Sequence, residues 1–294
     1  MILSTGAELT WKQFIQQPQY KDLSLNEQVI AYDKYLTYLS NLRNSNINFQ
    51  NKGILVTSKY VPSCVEGMDV VFLIDYTASM GDEIDALKLN ISSIVQTIIT
   101  ESGGDYRLGL VIFDEYNGQG NTKYGTNVEY TSLPAAQRYV NYNAVANKSQ
   151  WITALEVMSI SNNPSFTTQL NKLNNTIELG AGAGGPEPGG IGFQQILNGI
   201  TGEFRSNVSK LVILITDAQP GGDDDFYDAT DDNFLHTVGT AAGVANVRAL
   251  VLSQRNNLPN RGYRILANDS GGSFTQDSNL SPTTIIQIIQ DICS

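Results

Sequence analysis

Asp75, Thr77 and Ser79 stand at alternate positions directly after an apolar run, Val70-Val71-Phe72-Leu73-Ile74. Together they offer one carboxylate and two hydroxyls, all oxygen donors. Hard oxygens suit Mg²⁺, Mn²⁺ or Ca²⁺ better than Zn²⁺, which favours nitrogen and sulfur. A second apolar run, Lys210-Leu211-Val212-Ile213-Leu214-Ile215-Thr216, ends in Asp217 and meets the breakers Pro220-Gly221-Gly222. If the two runs are neighbouring parallel strands, their carboxyl ends share a sheet edge, and Asp75 and Asp217 face one cleft. The competing reading has Asp75, Thr77 and Ser79 capping the helix that follows. Capping explains one hydroxyl, but not a second acidic strand end.

The elements that must position these residues follow from the hydrophobic pattern. Val70 to Ile74 is apolar without alternation, as in a strand buried on both faces. The amphipathic segment Asp82 to Ser102 then makes strand, polar turn and helix. Tyr106 to Asp114 reads as a second strand, Asn117 to Thr126 as a Gly/Asn-rich turn, and Asn127 to Thr131 as a short edge strand. Gln137 to Met158 reads as containing helix. Phe166 to Leu179, Ile191 to Ile200, Asn233 to Ala245 and Pro282 to Cys293 read as helices, with strands at Arg248 to Ser253 and Ser273-Phe274. The alternation predicts an α/β fold: a doubly wound, mostly parallel six-stranded sheet flanked by helices, of Rossmann-like kind. No internal repeat is present.

Asp75-Tyr76-Thr77-Ala78-Ser79 resembles the Asp-x-Ser/Thr-x-Ser signature of von Willebrand factor type A domains. Ile213-Leu214-Ile215-Thr216-Asp217 is similar to the second acidic strand end of that family. Between them, Gly182-Ala183-Gly184-Gly185-Pro186-Glu187 resembles the Gly-Gly-Gly-Asp-x-Pro-Glu loop of one subgroup. The resemblance covers residues 64–294 and implies a metal-ion-dependent adhesion site. Asp75, Thr77, Ser79 and Asp217 would hold Mg²⁺, or Mn²⁺ or Ca²⁺, directly or through water. An acidic group on a protein or glycan partner would complete the shell. The family's middle loop supplies a Thr or Asp, and here that position falls on Gly184 or Gly185, which have no side chain. Glu187, or water, would take its place. Several members also join the two domain ends by a disulfide, which here would link Cys64 to Cys293; two unpaired buried cysteines are the alternative.

Of 294 residues, 41% are hydrophobic, enough for one large domain plus an appendage, and no stretch approaches the roughly 20 apolar residues of a membrane span. The net charge of −11 argues against nonspecific nucleic-acid binding. Residues 1–63 carry six Lys/Arg and four Asp/Glu, whereas the remainder carries twelve and twenty-five. The split sets a boundary between a helical amino-terminal docking segment, 1–63, and the domain, 64–294. In the former, Thr10 caps a short helix ended by Pro18, and Ser24-Leu25-Asn26-Glu27 is a capping box. Leu25, Val29, Tyr32, Leu36 and Leu39 then form a short apolar seam, and Asn41 to Lys52 reads as a polar linker. The seam packs either on its own domain or on a neighbouring subunit.

Other motifs carry less. Asp223, Asp224, Asp225, Asp228, Asp231 and Asp232 lack the EF-hand spacing and read as a solvated loop, with a weak second Ca²⁺ site or an electrostatic gate as the alternative. The Gly180–Gly185 run lacks the Lys of a phosphate loop. His236 is the only histidine and reads as a helix-surface residue, which leaves little basis for nucleophilic catalysis. The leading expectation is a non-enzymatic adhesion or protein-binding module. The second is a structural subunit of a virus particle or similar assembly, anchored through residues 1–63. The third is a metal-dependent hydrolase. No signal peptide is recognisable, and an extracellular or virion-surface location is expected from the disulfide reading.

Overall fold

The computed structural model describes Lys21 and residues 64–119, 128–180, 182, 184–221, 226–254, 260–277 and 281–293. The expected amino-terminal helices and linker therefore lie outside the described residues, and the fold below is that of the unit Val61–Ser294. Its strands are β1 (Met68–Asp75), β2 (Tyr106–Asn117), β3 (Arg138–Asn143), β4 (Lys148–Glu156), β5 (Ser209–Thr216), β6 (Val247–Ser253) and β7 (Ser273–Gln276). Its helices are α1 (Gly81–Glu101), the single turn α2 (Val128–Thr131), α3 (Asn163–Lys172), α4 (Gly189–Leu197), α5 (Ala229–Ala245), α6 (Tyr263–Ser270) and α7 (Pro282–Cys293).

The strands form one sheet in the order β3-β4-β2-β1-β5-β6-β7. The pairs β1·β2, β1·β5, β5·β6 and β6·β7 are parallel, and β2·β4 and β3·β4 are antiparallel. β1 is central and wholly buried. Val70, Phe72 and Ile74 face one core with Ile84, Leu87, Ile91 and Ile98 of α1, Phe166 of α3 and Ile285 of α7. Val71 and Leu73 face the other, with Phe193 of α4, Leu235 of α5 and Leu266 of α6. Burial on both faces is why β1 reads as a continuous apolar run. The apolar residues of α1 recur every three or four positions, so one stripe meets the sheet. The chain leaves β1 toward β2 on one side and returns as β5 on the other. Asp75 therefore stands at the carboxyl edge where the winding direction reverses, the place where open α/β sheets form crevices.

The expected doubly wound, mostly parallel sheet is present, with seven strands among the described residues rather than six. The difference lies between residues 127 and 158. The expected edge strand at Asn127 to Thr131 is instead the helical turn α2, whose Tyr130 packs its ring 5.6 Å from that of Trp151. The expected helix within Gln137 to Met158 is instead the β3–β4 hairpin, turned by Asn147 at φ +52°. β4 buries Lys148, Ser149, Gln150 and Thr153 beside Ile152 and Ala154, so it shows neither alternation nor a clean apolar run. β3 is an edge strand with several exposed residues. Both strands are stabilised by their neighbours rather than by local pattern.

Cys64 and Cys293 are disulfide-bonded, with Cα atoms 5.3 Å apart across 229 residues of sequence. The bond ties the entry to β1 to the end of α7. Nearby, the Asp69 carboxylate is fully buried at the amino end of β1 and accepts hydrogen bonds from Arg107 Nε (2.9 Å), Arg205 Nε (2.8 Å) and Arg205 N (2.8 Å). Burial pushes this carboxyl up, but Arg107 and Arg205 outweigh that and hold it below its ordinary value.

Asp69→Asn removes the counter-charge of Arg107 and leaves Arg205 with Asp105 alone. It is expected to lower unfolding free energy at pH 7 by about 3–5 kcal/mol. A depressed carboxyl contributes stability that is fully present above its unfolded value, about 4, and is lost as pH falls through the folded value. Urea titrations should therefore show the gap between the two proteins closing below about pH 4. A constant gap would mean that Asp69 acts through packing alone.

Candidate metal centre

The turn after β1 is built on Tyr76. Its backbone N–H donates to Phe113 O (2.8 Å), and its carbonyl accepts from Gly180 N (2.8 Å). Its buried ring carries the hydroxyl to Ile177 O (2.5 Å), and that hydroxyl accepts from Asn174 N (3.0 Å). One aromatic residue thus fixes both the strand end and the segment leading into the glycine loop. Asp75 Oδ1 accepts from Thr77 N (3.1 Å) and Thr77 Oγ1 (2.8 Å). Asp75 Oδ2 accepts from Thr216 Oγ1 (2.7 Å) at the end of β5. Thr77 Oγ1 and Ser79 Oγ lie 3.2 Å apart.

These side chains do not cap the helix. Thr77 stands at the N-cap position before the 3-10 turn Ala78–Met80 and Met80 at that before α1, and neither element has a side-chain cap hydrogen bond. The hydroxyls turn toward Asp75 and toward each other. Asp75 is fully buried, whereas Ser79 is exposed, so the group opens outward from carboxylate to hydroxyl. Asp217 follows β5 directly and is partly exposed. Its charge reaches Asp75, whose carboxyl is pushed up to about 6 chiefly by burial and also by Asp217.

The glycine loop lies against the same cluster. Gly182 N donates to Asp114 Oδ1 (3.1 Å), and a Cβ at Gly182 would stand 3.2 Å from Glu187 Oε1 and 3.4 Å from Thr77 Cγ2. Gly182 is thus the glycine that adjoins Thr77. Gly184 is exposed and its carbonyl accepts from Lys148 Nζ (2.8 Å); Gly185 is exposed at φ +91°. Glu187 is buried and its backbone is fixed by Gln219 O (2.8 Å) and Gly221 N (2.9 Å). Its carboxyl is pushed up to about 10 by burial and by Asp75, Glu115 and Asp114. Among the described residues, Glu187 Oε2 is buried without a hydrogen-bond partner.

Asp114 belongs to this cluster although the motif did not mark it. Burial pushes its carboxyl up to about 7, with a further contribution from Asp75. The signal was present in the sequence. Asp114 ends the apolar run of the second strand just as Asp75 ends that of the first, and Asp75 pairs with Phe113. Lys148 and Glu115, an ion pair at 2.7 Å beside the loop, carried no such signal. The other candidates are placed elsewhere. Asp228 and Asp231 form a capping box at the start of α5, and Asp232 pairs with Arg261. Asp223, Asp224 and Asp225 lie outside the described residues. His236 is an exposed residue of α5, with Nδ1 2.5 Å from Asp269 Oδ2.

Among the described residues, no three His, Cys, Asp or Glu side chains close into a complete cage. A cation here would draw on hydroxyls, carboxylates and water together. The donor chemistry fits a hard divalent ion: oxygen ligands only, crowded carboxyls held partly protonated by burial, and one buried carboxylate oxygen without a partner.

The fold and site define a doubly wound α/β domain with an acidic crevice at its switch point. No family model matches the chain, and no curated protein matches it. Among solved structures, the domain is similar to one titled "Crystal Structure of the SpRpn10 VWA domain". The match has 12% identity and a TM-score of 0.45, over 76% of this chain and 94% of the other. No helix among the described residues is long and apolar enough to cross a membrane.

A raised carboxyl contributes stability that is present below its unfolded value, about 4, and is lost as pH rises through its folded value. For Asp75 and Asp114 that window runs from about pH 4 to about pH 7. Asp114→Asn keeps an acceptor for Gly182 N and removes one titration. In EDTA, Asp114→Asn should gain on the parent by about 2 kcal/mol or more between pH 4 and pH 8. Parallel pH profiles would show that Asp114 is not held partly protonated.

Proposed function

We propose that residues 64–294 form a von Willebrand factor type A-like, non-enzymatic binding module that captures an acidic group on a protein or glycan through a divalent cation. Asp75, Thr77, Ser79 and Asp217 hold the ion, directly or through water, with Glu187 as an auxiliary group. The observation that carries this reading is the direction of the Thr77 hydroxyl. It turns to Asp75 and Ser79 at the switch-point edge, beside Asp217, rather than to the start of the helix. Two carboxylates and two hydroxyls do not fill the six or more oxygen positions of a hard divalent cation, and an oxygen of an outside carboxylate can take an open one. Capture of a carboxylate by a cation requires no general base, and the residues present supply positioned acceptors. The family resemblance in the order Asp75 motif, glycine loop, Asp217 supports the same conclusion.

Calorimetric titration of the purified chain with Mg²⁺, Mn²⁺ and Ca²⁺ tests it. One saturable site is expected, weakened at least tenfold in Asp75→Ala and in Asp217→Ala, with circular dichroism unchanged. Binding that persists in both variants would place the cation elsewhere and end this assignment. Glu187→Gln should leave the metal-free melting temperature at pH 7 nearly unchanged, since that carboxyl is already protonated there. It should weaken cation binding by a smaller factor than Asp75→Ala.

A further inference from the structure

Among the described residues, Lys148 is a buried cation beside this crevice. It begins β4, is 2% exposed, and donates to Glu115 Oε1 (2.7 Å) and to Gly184 O (2.8 Å). Lys148 pairs with Asn117 across the β2–β4 ladder, so Glu115, two residues before Asn117, is its diagonal neighbour on the same face. Asp114 lies on the opposite face of β2, where its carboxylate holds Gly182 N. The glycine loop therefore straddles the end of β2. It is fastened to Asp114 on one face and to Lys148 on the other.

The middle of that loop offers no side chain at Gly184 or Gly185 to pack. Gly184 and Gly185 take φ of +74° and +91°, and a Cβ at Gly184 would meet nothing within 4 Å. Successive glycines of this kind have large conformational freedom, which packing would normally remove. Lys148 holds the loop at Gly184, whereas Pro186, further on, is buried against Gly221. A buried ion pair is a poor source of stability, because an apolar pair of similar volume commonly serves as well. Its placement calls for another account.

We propose that Lys148, neutralised by Glu115, is a positioning residue that locks the glycine loop across the end of β2 and so preforms the gap facing Thr77 and Glu187. The effect on cation binding rests on the function proposed above, whereas the effect on the loop does not. With the loop locked, a cation enters a site already ordered. Without the lock, binding must also order the loop.

The test compares the parent, Lys148→Arg and the double variant Lys148→Met/Glu115→Gln. The double change removes both charges, so it avoids the unpaired buried Glu115 that Lys148→Met alone would leave. Hydrogen–deuterium exchange in EDTA should be at least tenfold faster over residues 180–187 of the double variant, with the β1 and β5 peptides unchanged and the melting temperature within a few degrees. Its Mn²⁺ dissociation constant should rise about tenfold, and Lys148→Arg should recover part of both effects. Unchanged loop exchange in the folded double variant overturns the proposal, as does accelerated exchange with parental Mn²⁺ affinity. If the parent binds no Mn²⁺, the cation reading fails, and the exchange data alone decide whether Lys148 holds the loop.

Discussion

A carboxylate buried at the end of the central strand is the constraint on which the rest of the crevice depends. Asp75 cannot reach bulk water, so its oxygens must be met by the protein. Thr77 N–H, Thr77 Oγ1 and Thr216 Oγ1 meet them. Those three donors fix the turn after β1 and join it to the end of β5. The geometry that satisfies Asp75 is also the geometry that turns the Thr77 and Ser79 hydroxyls away from α1 and toward the crevice. Burial and satisfaction of one charge thereby select the orientation of the whole first turn.

Around that carboxylate the protein accumulates like charge instead of dispersing it. Asp114, Glu115 and Glu187 are all buried, and Asp217 acts on Asp75 from the neighbouring strand end. One buried ammonium, Lys148, pairs with Glu115. Such an arrangement is costly in a low-dielectric interior and is eased by protons at some of the carboxyls or by a bound cation. The same physics explains the contrast with Asp69 at the other end of β1. Two arginines surround that carboxyl, which stays below its ordinary value and serves the fold. Two buried aspartates on one strand thus have opposite environments, with the structural one at the amino end and the candidate functional one at the carboxyl end.

Parts of this were legible in the chain itself. A strand buried on both faces leaves an unbroken apolar run, so β1, β2, β5 and β6 could be placed along with the polar residues that end them. Asp75, Thr77, Ser79 and Asp217 followed from that rule, and Asp114 would have followed had it been applied to every strand. β4 was not legible because its two buried faces include Lys148 and Gln150 on one and Thr153 on the other, polar residues that are satisfied by partners on other elements. The edge strand β3 is half exposed and its pattern is weak, so a helical reading of that region was natural.

The sequence by itself determined the alternation of strands and helices, the acidic strand ends, and the order of the Asp75 motif, glycine loop and Asp217. These are local or periodic properties, written in neighbouring residues. Tertiary structure decided that Gly182 adjoins Thr77, that Gly184 meets Lys148, that Asp114 joins the crevice, and that Cys64 bonds to Cys293. Each depends on register between strands far apart in the chain or on the path of a loop across a sheet edge. Spacing along one segment does not encode such distances, because packing of the two cores on either side of β1 sets them.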